Sequence, residues 1–148
     1  MPTVPSARPI DVLLARYRES HRNALNERIH CVCVPAIVFA LLGLLWSVHW
    51  VLALAAFGAS MRYYLDLSRP FALGMVGMIL PMLVLLALLP AMTVLPLSIG
   101  IFVLAWIGQF IGHHIEGRKP SFMDDVRFLL IGPLFVLGVL YRRLNLAW

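Results

Sequence analysis

The stretch CVCVPAIVFALLGLLWSV, Cys31 to Val48, runs for eighteen residues without a charged side chain. A helix of about 20 apolar residues crosses the roughly 30 Å of bilayer hydrocarbon, so this stretch reads as a transmembrane span. Three further runs share its character: Val51 to Leu67, Phe71 to Leu89 and Thr93 to Gly112. Over 148 residues the chain is 61% hydrophobic and 13% charged, against about 25% charged in a soluble domain. A water-soluble core of this size cannot hide such an excess. The expectation is one membrane domain over 1–148, all-α and integral to the membrane, with four transmembrane helices across 31–112.

A fifth run, Val126 to Tyr141, is shorter and carries Gly132-Pro133 at its middle. Proline removes a helical hydrogen bond and tends to kink or break the helix. Residues 126–148 are therefore expected to form a short C-terminal re-entrant or fifth membrane segment and a tail. Upstream, Ile10, Leu13, Leu14, Tyr17 and His21 recur at three- and four-residue spacing, while Arg16, Arg18, Glu19 and Arg22 occupy other faces. This pattern predicts an amphipathic N-terminal interfacial helix within segment 1–30. That segment lacks the apolar core and cleavage site of a signal peptide. Trp46, Trp50 and Trp106, near span ends, read as interfacial anchors. Cys31 and Cys33 match no zinc pattern and read as buried free thiols.

Charge sets the orientation. With a cytoplasmic N-terminus and four crossings, the outer turns at His49-Trp50 and Pro90-Ala91-Met92 hold no Lys or Arg. The inner segments hold Arg8, Arg16, Arg18, Arg22, Arg28, Arg62, Arg69, Arg118, Lys119 and Arg127. A re-entrant last segment also keeps Arg142 and Arg143 inside, as the positive-inside rule prefers. The net charge of +5 is thus topological, and no nucleic-acid partner is expected. The membrane would be a bacterial inner membrane or the endoplasmic reticulum.

The five histidines are His21, His30, His49, His113 and His114. His21 and His30 flank the start of span one. His113 and His114 close span four, at the head of a cytoplasmic loop, 113–125. An even number of crossings puts these four on one side and His49 on the other. Gln109, His113 and Glu116 share a helix face, as do Asn26 and His30. His21 and His30, nine residues apart, lie on opposite faces of one straight helix; they meet only if the chain turns between them, at Asn23 or Asn26, with Asn26 a natural N-cap. Ionisable groups in membrane segments are costly and often functional, so the set reads as a candidate metal site. Four imidazoles are too few for a di-iron centre and suit one ion, zinc or iron.

The strings Tyr17-xxx-His21-xxxx-Asn26-xxx-His30-xxxx-Pro35 and WIGQFIGHHIEGRKP, Trp106 to Pro120, resemble the membrane family typified by the fungal 2-hydroxy fatty acid dioxygenase of phytosphingosine breakdown. RYYLDL (Arg62 to Leu67) and GPLFVL (Gly132 to Leu137) extend the resemblance over nearly the whole chain. It implies an Fe(II) enzyme that uses O2 to shorten a long-chain 2-hydroxy fatty acid by one carbon. Carried over by position, His21, His30 and His113 would be metal-site histidines, with His114 a further candidate. Asn26, Gln109 and Glu116 would be polar groups of the catalytic site.

The acyl tail would lie among membrane lipid, and a homo-oligomer is left open. Two other classes stay open at this point: a zinc-dependent lipid hydrolase at the membrane face, and a non-enzymatic membrane adaptor. A transporter fits poorly, because the spans show almost no polar residues at mid-membrane.

Overall fold

The structure, a computed structural model, describes residues 8–148; the first seven residues of the expected N-terminal segment lie outside them. It contains α1 (Pro9–Arg18), α2 (Ala24–Val48), α3 (Trp50–Leu67), α4 (Arg69–Leu88), α5 (Ala91–Glu116), a 3-10 turn (Ser121–Met123) and α6 (Phe128–Arg143). Among the described residues there is no strand.

Among the described residues three helices, α2, α4 and α5, are long and apolar enough to cross a membrane. The expected second span, α3, has 18 residues but carries the Arg62–Asp66 ion pair near its C-terminal end, which lowers its apolar character. Large side chains such as Leu73 (72% exposed) and Leu104 (70% exposed) point outward. In water such a surface would aggregate; against lipid it is solvated.

The α2–α5 pair is the spine of the bundle, and small residues let the two helices approach. A Cβ on Gly108 would come within 2.6 Å of Cys33 Sγ. One on Gly112 would collide with Asn26 Oδ1, and one on Gly43 with Ser98 Oγ. Helix α2 also packs on α3, α4 and α6. Both cysteines are free and half-buried.

Helix starts and stops follow local chemistry. Asn23, not Asn26, caps α2: its side chain accepts from Leu25 N–H at 2.8 Å. Asn26 lies one turn inside the helix and is completely buried. The expected cap is corrected because helix α2 begins well ahead of the apolar run, at Ala24. His49 separates α2 from α3 and caps the latter, accepting from Val51 N–H at 3.2 Å. Gly117, at φ 69°, ends α5 in the left-handed region that favours glycine.

The C-terminal segment differs from a hairpin. Helix α6 runs unbroken for 16 residues through Pro133, a length of about 24 Å at 1.5 Å per residue. Its first half packs near His21 through Phe128 and Phe135 around Tyr17. At its other end, Tyr141 donates to the Pro70 carbonyl at 2.8 Å, where α4 begins. Both ends of α6 therefore lie at the end of the bundle where α2 and α4 start. Tyr64 donates to the Leu130 carbonyl at 3.0 Å, in the turn where Pro133 disturbs the ladder. Burial of Gly132, Pro133, Leu134 and Phe135 holds the helix continuous where proline alone predicts a break.

Candidate metal centre

Three helices and one loop converge at the start of α2. Helix α1 ends at Arg18, and the chain turns through residues 19–23 before α2 begins. That turn, which spacing alone left conditional, swings His21 back over His30. The 25-residue α2 and 26-residue α5 run antiparallel, so His30 in the second turn of one meets His113 in the last turn of the other.

The candidate ligand nitrogens of His21, His30 and His113 all lie within 4.8 Å of one another. Their ring centroids are 4.2 Å apart for His21–His30, 5.0 Å for His21–His113 and 4.8 Å for His30–His113. All three are buried, at 4%, 1% and 6% exposure, a degree at which three imidazoles crowded together demand an explanation.

The hydrogen bonds orient two of the rings. His21 Nδ1 lies 2.7 Å from the Tyr17 carbonyl, and His30 Nδ1 lies 3.0 Å from the Asn26 carbonyl. A carbonyl only accepts, so each Nδ1 carries the proton and each Nε2 offers a lone pair. His21 Nε2 and His113 Nδ1 are buried without hydrogen-bond partners. Buried ring nitrogens without partners, in three imidazoles whose ligand atoms lie this close, fit a metal ion well. Burial holds the His21 imidazole down at about 4, against an ordinary 6.5. The Tyr17 carbonyl opposes that effect, His113 reinforces it and Glu116 opposes it. The ring is thus neutral and ligand-competent at pH 7. Tyr17 stacks flat on His21, centroids 4.2 Å apart at 4°.

Glu116 is not among the grouped ligand nitrogens. Its carboxylate accepts from Arg22 N–H at 2.9 Å, Asn23 N–H at 2.8 Å and Asn26 Nδ2 at 3.0 Å. It ties the end of α5 to the turn that carries His21. Asn26 also donates to the Ser20 carbonyl at 3.2 Å, bracing the same turn. Gln109, buried one turn before His113, lines a cavity beside the histidines. His114 points the other way, is exposed, and borders a shallow cleft with Arg118 and Lys119. The structure leaves it outside the triad, because adjacent helical residues are turned by about 100°. His49 sits 19 residues from His30 along α2, roughly 28 Å away.

The cavity, about 260 Å³, runs from His30 and His113 between α2, α5 and α6. Trp106, expected as an anchor, forms part of its wall. Its seven-residue offset from His113 places both on one face, a signal legible in the sequence. Ser121 and Phe122 of the 3-10 turn also line the cavity, and nothing in their sequence foretells it.

A helical protein with long apolar helices and a buried tri-histidine centre at one bundle end defines the class. The chain matches the family model described as Mpo1-like, 2-hydroxy-palmitic acid dioxygenase Mpo1-like, over residues 8–65 and 69–144. It is 31% identical over 132 residues to the 2-hydroxy-palmitic acid dioxygenase MPO1 of Saccharomyces cerevisiae, covering 84% of this chain and 75% of that protein. The chain belongs to the Mpo1-like family. No solved structure matches it significantly.

Proposed function

We propose that this protein is an Fe(II)-dependent dioxygenase that shortens long-chain 2-hydroxy fatty acids by one carbon. The observation that carries the reading is the buried trio His21, His30 and His113, with ligand nitrogens within 4.8 Å, at the closed end of an apolar cavity. Membership in a family named for a dioxygenase favours iron over zinc.

Held by His21, His30 and His113, the ion would supply the redox chemistry that activates O2 towards the 2-hydroxy acid. The chain does the rest. His21 and His30, pinned by backbone carbonyls, keep their Nε2 lone pairs aimed inward. Gln109 offers the polar contact on the cavity wall for the acid headgroup. Val34 and Phe128, on the cavity wall beside the histidines, keep water from the cleaving C1–C2 bond. Asn26 and Glu116 act as positioning residues through the turn that bears His21. With one O2 consumed per turnover, cleavage balances as an acid one carbon shorter, carbon dioxide and water, O2 taking up all four electrons.

The reading includes topology: α2 to α5 cross the membrane four times within a single domain, and α6 lies at the cytoplasmic face with the N-terminus. It is supported by the location of both α6 ends and by Lys/Arg-free turns at His49 and Pro90. The test is metal analysis of anaerobically purified protein, followed by oxygen uptake and product mass on adding 2-hydroxyhexadecanoic acid. Iron, oxygen consumption and a fifteen-carbon acid are expected. Stoichiometric zinc with oxygen-independent turnover overturns the assignment. Cysteine labelling should place residues 49 and 90 on the face opposite residue 118.

A further inference from the structure

We propose that the cavity is an open-ended acyl groove whose mouth faces lipid, so that substrate arrives sideways from the bilayer and tail length has no upper limit. This rests on the function proposed above. The α2 wall is His30, Val34, Val38 and Leu41, and the α5 wall is His113, Trp106 and Phe102. Because the helices are antiparallel, both walls run from the histidines towards mid-bundle. Each spans eleven residue steps, roughly 17 Å at about 1.5 Å per residue.

The two ends differ. At the histidine end the three rings are at most 6% exposed, and α1 with the Glu116-held turn closes over them. At the far end Leu41 is 46% exposed on a helix apolar enough to cross a membrane, and Phe102 is half-buried. His30, His113 and Gln109 put polar side chains at the histidine end, whereas Ile37, Val38, Leu41 and Phe102 line the far end with hydrocarbon. This gradient suits an amphiphile with its acid group at the metal site. An extended alkyl chain advances about 1.3 Å per carbon at ordinary C–C bond lengths. About thirteen carbons beyond C2 reach the mouth, and any longer tail continues into lipid, where its solvation is unchanged.

Trp106, seven steps from His113, sits about 10 Å along the groove and serves as a reporter. The protein, with Trp46, Trp50 and Trp148 replaced by Phe, is placed in phosphatidylcholine nanodiscs. Binding is followed by quenching with a 2-hydroxyhexadecanoic acid brominated at carbons 9 and 10. Unlabelled 2-hydroxy acids compete at matched bilayer mole fraction. Saturable quenching is expected, with acids of 16 to 24 carbons competing within about threefold of one another. Val38→Phe and Ile37→Phe, which place a phenyl ring in the groove, should each lower the affinity ratio of sixteen- to eight-carbon acids at least tenfold. Their metal content reports that the fold is intact.

A tenfold loss between 16 and 24 carbons would reveal a closed pocket and overturn the proposal. So would an unchanged affinity ratio in both variants, or the absence of saturable quenching. Turnover is read separately. Binding as expected without product formation defeats the reaction assignment and leaves the groove standing; normal turnover with unchanged ratios does the reverse.

Discussion

Replacing Glu116 with Gln tests whether this residue holds the site together or takes part in it. The carboxylate accepts three hydrogen bonds, at 2.9, 2.8 and 3.0 Å, from the turn carrying His21. Gln keeps the shape and one acceptor. Its oxygen can serve Asn23 and Asn26, but its amide then faces the Arg22 N–H, a donor against a donor. Hydrogen bonds to a charged group contribute about 1.5–3 kcal/mol when buried. Two of these donors are exposed, so the loss is discounted to about 1–2 kcal/mol in total.

If ordering of the turn is what metal binding requires, that loss appears as a 5- to 30-fold weaker iron affinity, in the range known for outer-shell partners of metal ligands. The assay is anaerobic competition with a chromophoric Fe(II) chelator, in micelles, at one metal per chain. Stoichiometry should stay at one while affinity falls. An affinity within twofold of the parent refutes the clamp. Complete loss of metal, as for a ligand, shows instead that Glu116 itself donates to the ion.

His30→Ala and His113→Ala should each abolish stoichiometric metal, whereas His114→Ala should retain it, as read by elemental analysis of purified protein. Gly112→Ala forces a methyl group against Asn26 Oδ1; overpacking of this kind costs about 1–3 kcal/mol, so the thermal midpoint should drop, while Gly100→Ala, with open space around it, should leave it unchanged. In metal-free protein, the His21 ring is held at about 4 against 6.5 in an unfolded chain. Below 6.5 the unfolded state takes a proton that the folded state refuses. Stability is therefore full above pH 6.5, falls as pH drops towards 4, and gains no further loss from this group below that. Denaturation midpoints across that window should show the slope, and His21→Asn should reduce it by this ring's share.

The sequence by itself determined the class of molecule and narrowed the candidates for its metal site to His21, His30, His113 and His114. Apolar runs such as Cys31 to Val48 dictate helices that lipid must solvate, since no polar partner could satisfy their backbone otherwise. The parity of the turns at His49 and Pro90 separates His49 from the other four histidines, because a span has only two ends.

Tertiary structure decided what spacing cannot. Periodicity assigns a residue to a helix face but not to a neighbour, so His113 and the adjacent His114 look equivalent until α5 packs on α2 and turns one inward. Nine residues separate His21 from His30, and only the turn at 19–23, clamped by Glu116 from far along the chain, brings their rings to 4.2 Å. Pro133 predicts a break that burial of the surrounding residues overrides. Such outcomes depend on contacts between distant segments, which no local pattern encodes.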